Sequence, residues 1–95
     1  MSNLLPIIEQ LDNALSDAER ARWLLECPPG YLGKYEMTIR NRLRSAGFLA
    51  GVDYLEAERL VIWMPRSATG EIRAAAREIL TTARAAMVAV AEGGA

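Results

Sequence analysis

Acidic side chains are the first candidates for chemistry in this chain. Asp53, Glu56 and Glu58 stand close together, and the sequence contains no histidine, which removes the commonest general base and metal ligand. General acid–base catalysis, or binding of a hard cation, needs at least two carboxylates that converge on one point. Glu56 and Glu58 would share one face of a β-hairpin, but a charged turn that keeps a sheet edge from pairing is the better interpretation. We therefore expect no enzyme, no metal and no cofactor.

The thiol is a weak candidate for a nucleophile. Cys27 is the one cysteine, and it stands beside two prolines with no basic neighbour in sequence to lower its pKa. We expect a small, partly buried side chain. A single cysteine cannot form an internal disulfide, and Pro6 and Glu9 interrupt the apolar start of the chain, so we see no targeting or membrane segment. The sequence favours a cytoplasmic protein without membrane contact.

Glycines ahead of a lysine, Gly30–Lys34, invite comparison with a phosphate-binding loop. The spacing does not fit, because a P-loop has four residues between its glycines and Ser or Thr after the lysine. Here two residues separate Gly30 from Gly33, and Tyr35 follows the lysine. The prolines and glycines of residues 27–33 are typical of a stiff loop that ends a helix.

Helical periodicity and capping residues indicate the elements that surround these groups. Apolar residues at helical spacing predict a first helix over about residues 4–15. Ser16 and Glu19 have the spacing of a capping box, which predicts a second helix over Asp17–Glu26. A third helix, Lys34–Ala46, follows the loop and ends at Gly47, where a left-handed glycine belongs.

The second half of the chain changes pattern. Aromatic, β-branched and aliphatic residues on either side of a charged turn predict a β-hairpin over Phe48–Trp63. The continuous apolar run Leu60–Trp63 predicts a strand covered on both faces, by a helix or by another subunit. A last helix then begins after a cap at Ser67 or Thr69 and ends near Glu92. Its predicted inward face holds Ile72, Ala76, Ile79, Leu80, Ala83, Met87 and Val90. The predicted fold is α+β, of order α-α-α-β-β-α, in a single domain over residues 1–95.

Arginine dominates the basic residues, and several arginines fall on one side of a predicted helix. On a wheel of the third helix, Tyr35, Ile39 and Leu43 point inward, and Arg40 and Arg44 point outward with two neighbours. Arginine, tyrosine and methionine are enriched at protein interfaces. The candidate partner-binding residues are Tyr35, Met37, Arg40, Asn41, Arg44, Arg73 and Arg77.

Two nucleic-acid-binding families share parts of this predicted order. A Gly30–Gly33 loop between helices, followed by a hairpin and a long helix, is similar in order to the KH family, whose G-x-x-G clamps an RNA backbone. The segment Asn41–Phe48 with the hairpin behind it resembles the recognition helix and wing of winged-helix DNA-binding domains. Either resemblance implies a nucleic-acid partner for the Arg40 helix.

The overall charge argues for a protein partner. Eleven basic residues against twelve acidic ones leave a net charge of −1, which supplies no global attraction to nucleic acid. We expect a small non-enzymatic protein-binding factor of the inhibitor or regulator type, encoded by a phage or mobile element, that forms a homodimer. A nucleic-acid-binding regulator that uses the same arginine helix is the alternative.

Overall fold

The computed structural model describes residues 6–93, which form six helices and contain no strand. The helices are α1 Pro6–Asp12, α2 Asp17–Glu26, α3 Pro29–Lys34, α4 Glu36–Ser45, α5 Leu49–Ile62 and α6 Gly70–Ala91. The predicted α+β fold is therefore wrong, because the residues predicted as the hairpin Phe48–Trp63 form α5. Over the same described stretch, no helix has both the length and the apolar character needed to cross a membrane.

The N-terminal part follows the capping pattern closely. Helix α2 has the predicted bounds, and the Ser16 hydroxyl accepts a hydrogen bond from the Glu19 amide at 3.2 Å. The Glu19 carboxylate reaches back to the amide of Leu15 at 2.6 Å, so two amides at this helix start are satisfied. Helix α1 ends at Asp12, before the predicted end near residue 15, and Leu15 is 88% exposed. Leu4, predicted inside this helix, lies outside the described residues.

The predicted loop over residues 27–33 is instead the short helix α3. Pro29 occupies its first position, where the fixed φ of proline suits a helix and the missing amide costs nothing. Leu32 is buried and anchors this turn in the core. Neither Gly30 nor Gly33 adopts a positive φ, so these glycines do not form a clamp-like loop.

A tight corner joins α4 to α5. Gly47 has a φ of 74°, its amide donates to the Arg44 carbonyl at 3.0 Å, and the Phe48 amide donates to the Leu43 carbonyl at 2.9 Å. This pair of hydrogen bonds is the Schellman motif, in which glycine ends a helix. The predicted role of Gly47 is confirmed, but the chain then enters another helix.

The segment Leu49–Ile62 forms a helix, and its apolar residues fit a helical period as well as a strand pattern. Val52, Leu55 and Ile62 recur at intervals of three or seven residues and face the core, with Tyr54 beside them. The predicted strand Leu60–Trp63 is wrong, and the chain itself leaves Leu60 49% exposed and Trp63 65% exposed, so cover of this segment by another subunit stays a prediction.

The core lies among α1–α5, and α6 closes it by packing on α2 and α5 with Met87 pointing inward. Trp23 of α2 ties α1 to this core, because its indole nitrogen donates to the Ile7 carbonyl at 2.7 Å. Helices α5 and α6 run antiparallel, because Met64, just past the end of α5, lines the same hollow as Ile72 near the start of α6, while Ala50 lines the same hollow as Ala86. The buried cluster contains Ile8, Leu11, Ala21, Trp23, Leu24, Cys27, Leu32, Ile39, Leu43, Phe48, Val52, Tyr54, Leu55 and Met87.

Helix α6 is the longest element and the least covered. Thr69 caps it by accepting from the Ile72 amide at 3.2 Å, as one of the two predicted caps. Only Ala76 and Met87 of its 22 residues are buried. Ile72 is 54% exposed and Ile79 is 50% exposed, so the predicted inward face is wrong at these two positions.

Candidate functional site

Arg40, predicted to point outward, is buried between α4 and α5. Its guanidinium donates to Glu56 at 2.6 Å and to Glu36 at 3.1 Å, and the residue is 9% exposed. The hydrogen bond that Arg40 donates to Glu56 is the largest cause that raises the pKa of Arg40. Arg59 binds the second oxygen of Glu36 at 3.1 Å. Arg40 therefore joins α4 to α5, so its predicted outward orientation is wrong, and its role in binding a partner stays a prediction.

The three carboxylates of the sequence cluster do not converge. Residues of a helix turn by about 100° each, so Glu56 and Glu58 point about 200° apart, and their expected shared face is wrong. Glu56 is exposed, and the hydrogen bond and charge of Arg40 lower its pKa. Glu58 is buried, and Asp53 is exposed. Among residues 6–93, no group of three His, Cys, Asp or Glu side chains is placed to hold a metal ion.

Glu58 and Tyr54 are buried and form a cluster with Arg84, whose side chain is 52% exposed. The Tyr54 hydroxyl donates to Glu58 Oε2 at 2.5 Å, and Arg84 of α6 donates to the same oxygen at 3.1 Å. Burial is the main cause that raises the pKa of Tyr54 to about 12, and the hydrogen bond with Glu58 adds to it. Because Tyr54 and Glu58 belong to α5 and Arg84 belongs to α6, their hydrogen bonds to the Glu58 carboxylate join the two helices.

Cys27 is a buried thiol at the end of α2. Burial raises its pKa to about 11, and the negative charge of Glu58 acts in the same direction. The thiolate is the reactive form of cysteine, so this environment keeps the side chain unreactive near neutral pH.

Other candidate residues remain on the surface of α4. Met37 is 68% exposed, and Asn41 and Arg44 are also exposed. Tyr35 is half-buried, and its ring stacks on that of Tyr31 with 5.8 Å between centroids. The α4 surface therefore retains four of the predicted residues but loses its central arginine.

The two candidate arginines on α6 have different roles. Arg73 donates to the carbonyls of Pro65, Arg66 and Ala68, which orders the turn between α5 and α6. Arg77 is exposed on the wall of a groove between these helices.

This groove between α5 and α6 is a wide concave feature of the described residues. It consists of two hollows open to solvent, with volumes of about 820 and 1060 Å³, which share Asp53, Ala57, Ala75 and Ile79 and therefore join into one trough. The first hollow is also lined by Leu60, Trp63, Met64 and Ile72. We call this trough the α5–α6 groove.

Polar groups stand at the edges of the α5–α6 groove. Asp53 lies on its α5 side, and Arg77 and Glu78 lie on its α6 side. None of these three side chains forms an ion pair or hydrogen bond with the residues that the structure describes. An apolar floor with unpaired charges at the rim is the usual arrangement of a protein-binding surface.

Sequence reasoning did not predict this groove as a site. Leu60 and Trp63 were expected in a strand covered by a helix or by another subunit, and Ile72 and Ile79 on the inward face of the last helix. One signal in the sequence could have indicated the groove. The apolar residues of α6 span a wider arc of the helix than one neighbouring helix can cover.

Comparisons of the chain with family models, with curated proteins and with solved structures find no match. Function must therefore be argued from the geometry of the molecule.

Proposed function

We propose that this chain is a small, non-enzymatic, cytoplasmic protein-binding factor, and that the α5–α6 groove receives the apolar face of a helix from its partner. The exposure of Leu60, Trp63, Ile72 and Ile79 in one continuous trough is the observation that carries the proposal. A helix is about 10–12 Å across with its side chains, and amphipathic helices commonly bind by laying their apolar face into such a groove.

The composition of the groove supports a specific contact. Trp63 is a rigid aromatic side chain, and tryptophan is over-represented among residues that dominate binding energies. Met64 beside it adapts its shape to different apolar partners. Fully burying one large apolar side chain contributes about 1.5–3 kcal/mol, so several together can sustain a stable contact.

The placement of the arginines favours a protein over a nucleic acid. Sequence-independent binding to nucleic acid rests on basic side chains that are free to neutralise phosphates. Most arginines in this chain already donate to carboxylates or backbone carbonyls within residues 6–93. They are Arg20, Arg22, Arg40, Arg42, Arg59, Arg73 and Arg84. The two resemblances also depend on a hairpin that residues 48–63 do not form.

The absence of an enzyme activity is part of the proposal. Glu58 is the buried carboxylate closest to a catalytic setting, but it accepts from Tyr54 and Arg84 and has little exposed surface. A general base must be within reach of a substrate proton, and Glu58 does not face the solvent. The sequence offers no histidine to replace it.

Site-specific photo-crosslinking in cells of the source organism tests the proposed surface. A benzophenone side chain is placed at position 60 in the groove, at position 37 on α4, and at position 10 on the distant α1. Samples are treated with nuclease, and the adducts are mapped by mass spectrometry. We expect nuclease-resistant protein adducts from position 60, mapped to one apolar helix face of the partner.

Two matched variants show whether the groove itself is required. Ile79→Glu puts a charge in the groove floor and should abolish the adduct, whereas Ala74→Glu puts the same charge on an exposed part of α6 outside the groove. Circular dichroism and urea unfolding establish that both variants fold. Adducts only from position 37, or adducts that nuclease removes, would refute the proposal and favour the α4 surface or a nucleic acid.

A further inference from the structure

We infer that the occupant of the α5–α6 groove is a second copy of this chain, which docks its own α5–α6 pair into the groove about a two-fold axis. The inference rests on the proposed function, because it names the partner of the same surface. The groove and the side chains that protrude beside it belong to one helical hairpin, so each copy supplies both halves of the contact.

The first argument is the distribution of apolar surface. Trp63, at 65% exposed, and Ile72, at 54%, stand at the end of the groove where α5 turns into α6, while the floor at Ala57 and Ala75 has small side chains. Trp63 and Ile72 therefore form a protrusion, and the small side chains of Ala57 and Ala75 form a depression on the same face. In a two-fold contact every pair of residues occurs twice, once in each direction between the copies. The large side chains of each copy therefore enter the shallow part of the other copy's groove.

The second argument is charge. Asp53 and Arg77 stand on opposite sides of the groove, have opposite signs and form no ion pair with described residues. A two-fold contact that crosses the groove can bring Asp53 of each copy to Arg77 of the other, which forms the same pair twice. A partner without this symmetry would need its own matching charges. A second copy already has them.

The third argument is dimension. The molecule measures 44 × 33 × 19 Å, and its thinnest dimension is less than two helix diameters of about 10–12 Å each. At 1.5 Å per residue the 22 residues of α6 span about 33 Å and the 14 residues of α5 about 21 Å, so two adjacent helices each about 10 Å wide present a face of roughly 540 Å². Stable complexes bury about 800 Å² on each partner, so the α5–α6 face supplies about two thirds of the area that a dimer needs.

Sedimentation velocity of the purified full chain between about 1 and 200 µM tests the inference. We expect a mass twice the 10.4 kDa of one chain at tens of micromolar. Ile79→Glu should raise the dissociation constant by 100-fold or more, and Ala74→Glu should leave it within threefold of the unchanged chain. Circular dichroism and unfolding midpoints establish that the variants fold.

A charge exchange tests the two-fold pairing itself. Asp53→Arg and Arg77→Asp each place like charges together at both symmetric positions and should weaken the dimer about tenfold. The double variant D53R/R77D restores opposite charges and should return the dissociation constant close to that of the unchanged chain. A double variant as weak as the product of the two single changes would refute this docking.

The outcomes separate the inference from the function on which it rests. A chain that stays monomeric at 200 µM overturns the inference. If position 60 still crosslinks to the helix of another protein, the proposed function stands with a different occupant. Loss of both the dimer and that crosslink would overturn the inference and the proposed function together.

Discussion

Tyr54 and Glu58 lie one turn apart on α5, and the Tyr54 hydroxyl donates to Glu58 Oε2 at 2.5 Å in the interior of the protein. Arg84 reaches the same oxygen from α6 at 3.1 Å. A buried carboxylate is costly unless its charge is paired and its oxygens accept hydrogen bonds. The tyrosine and the arginine together allow α5 to bury an acidic residue on the face that packs against α6.

Removing the Tyr54 hydroxyl should destabilise the fold without changing its packing. Tyr54→Phe keeps the ring, which is almost fully buried, but withdraws one of the two donors from the Glu58 carboxylate. We expect a loss of about 1–3 kcal/mol in the free energy of unfolding, the usual cost for a hydrogen bond to a buried charge. Urea denaturation measures it. Tyr31→Phe is the control, because Tyr31 is 41% exposed, and it should have no effect.

Stability should fall in alkaline solution over two overlapping intervals. Burial raises the pKa of Cys27 from 9.0 to about 11 and that of Tyr54 from 10.0 to about 12. The folded protein therefore binds these protons more tightly than the unfolded chain does. This stabilisation is complete below the unfolded pKa of each group and is lost as pH rises towards the folded pKa.

Substitutions of Cys27 and Tyr54 show which group causes each of the two pH intervals in which stability falls. In urea midpoints measured from pH 8 to pH 12, Cys27→Ala should remove the decline that begins near pH 9, and Tyr54→Phe should remove the one that begins near pH 10. At pH 8 the thiol should react with Ellman's reagent far more slowly in the folded protein than in urea. Equal rates in both states would contradict a buried Cys27.

The parts of the fold that could be predicted from sequence depend on local rules. Capping and glycine chemistry located the start of α2 at Ser16 and the end of α4 at Gly47, and narrowed the cap of α6 to Ser67 or Thr69, of which the structure has Thr69. These signals depend on side chains that satisfy amides within a few residues. They need no knowledge of the rest of the molecule.

Helix α5 was missed because one of its buried residues is acidic. Without knowing that Tyr54 and Arg84 bind Glu58, the segment Glu56–Arg59 has the composition of an exposed turn. Once Glu58 is placed inside, Tyr54, Leu55 and Glu58 form a helical stripe. Arg40 was misplaced for the same reason, since its partner Glu56 comes from another helix. Pairs between distant residues leave no local pattern.

The two arginines once assigned to a single outward face should respond in opposite ways to substitution. Arg40→Ala breaks the contacts to Glu36 and Glu56 that hold α4 against α5, and should lower the free energy of unfolding by about 1–3 kcal/mol. Arg44→Ala removes an exposed side chain and should change the free energy of unfolding by less than about 0.5 kcal/mol. Urea denaturation compares them. Equal effects would contradict the burial of Arg40.

Two glycines inside helices should also differ when replaced by alanine. A Cβ atom at Gly51 would lie 2.7 Å from Cδ2 and 2.9 Å from Cε2 of Phe48, whereas a Cβ atom at Gly30 would have nothing within 4 Å. Alanine is favoured over glycine in a helix by about 1 kcal/mol, so Gly30→Ala should stabilise the protein by about 0.5–1 kcal/mol. Gly51→Ala should destabilise it by about 1–3 kcal/mol, because overpacking outweighs that gain.

A second substitution tests whether the Phe48 ring is the cause. Phe48 is buried at the start of α5 and cannot move away without leaving the core. In Phe48→Leu the ring is gone, so adding Gly51→Ala should cost less than it does in the unchanged protein, with a coupling of about 0.5–3 kcal/mol between the two sites. Thermal or urea unfolding of the four proteins in this cycle measures the coupling. Strictly additive effects would mean that the close approach of α5 to Phe48 does not determine the need for glycine at position 51.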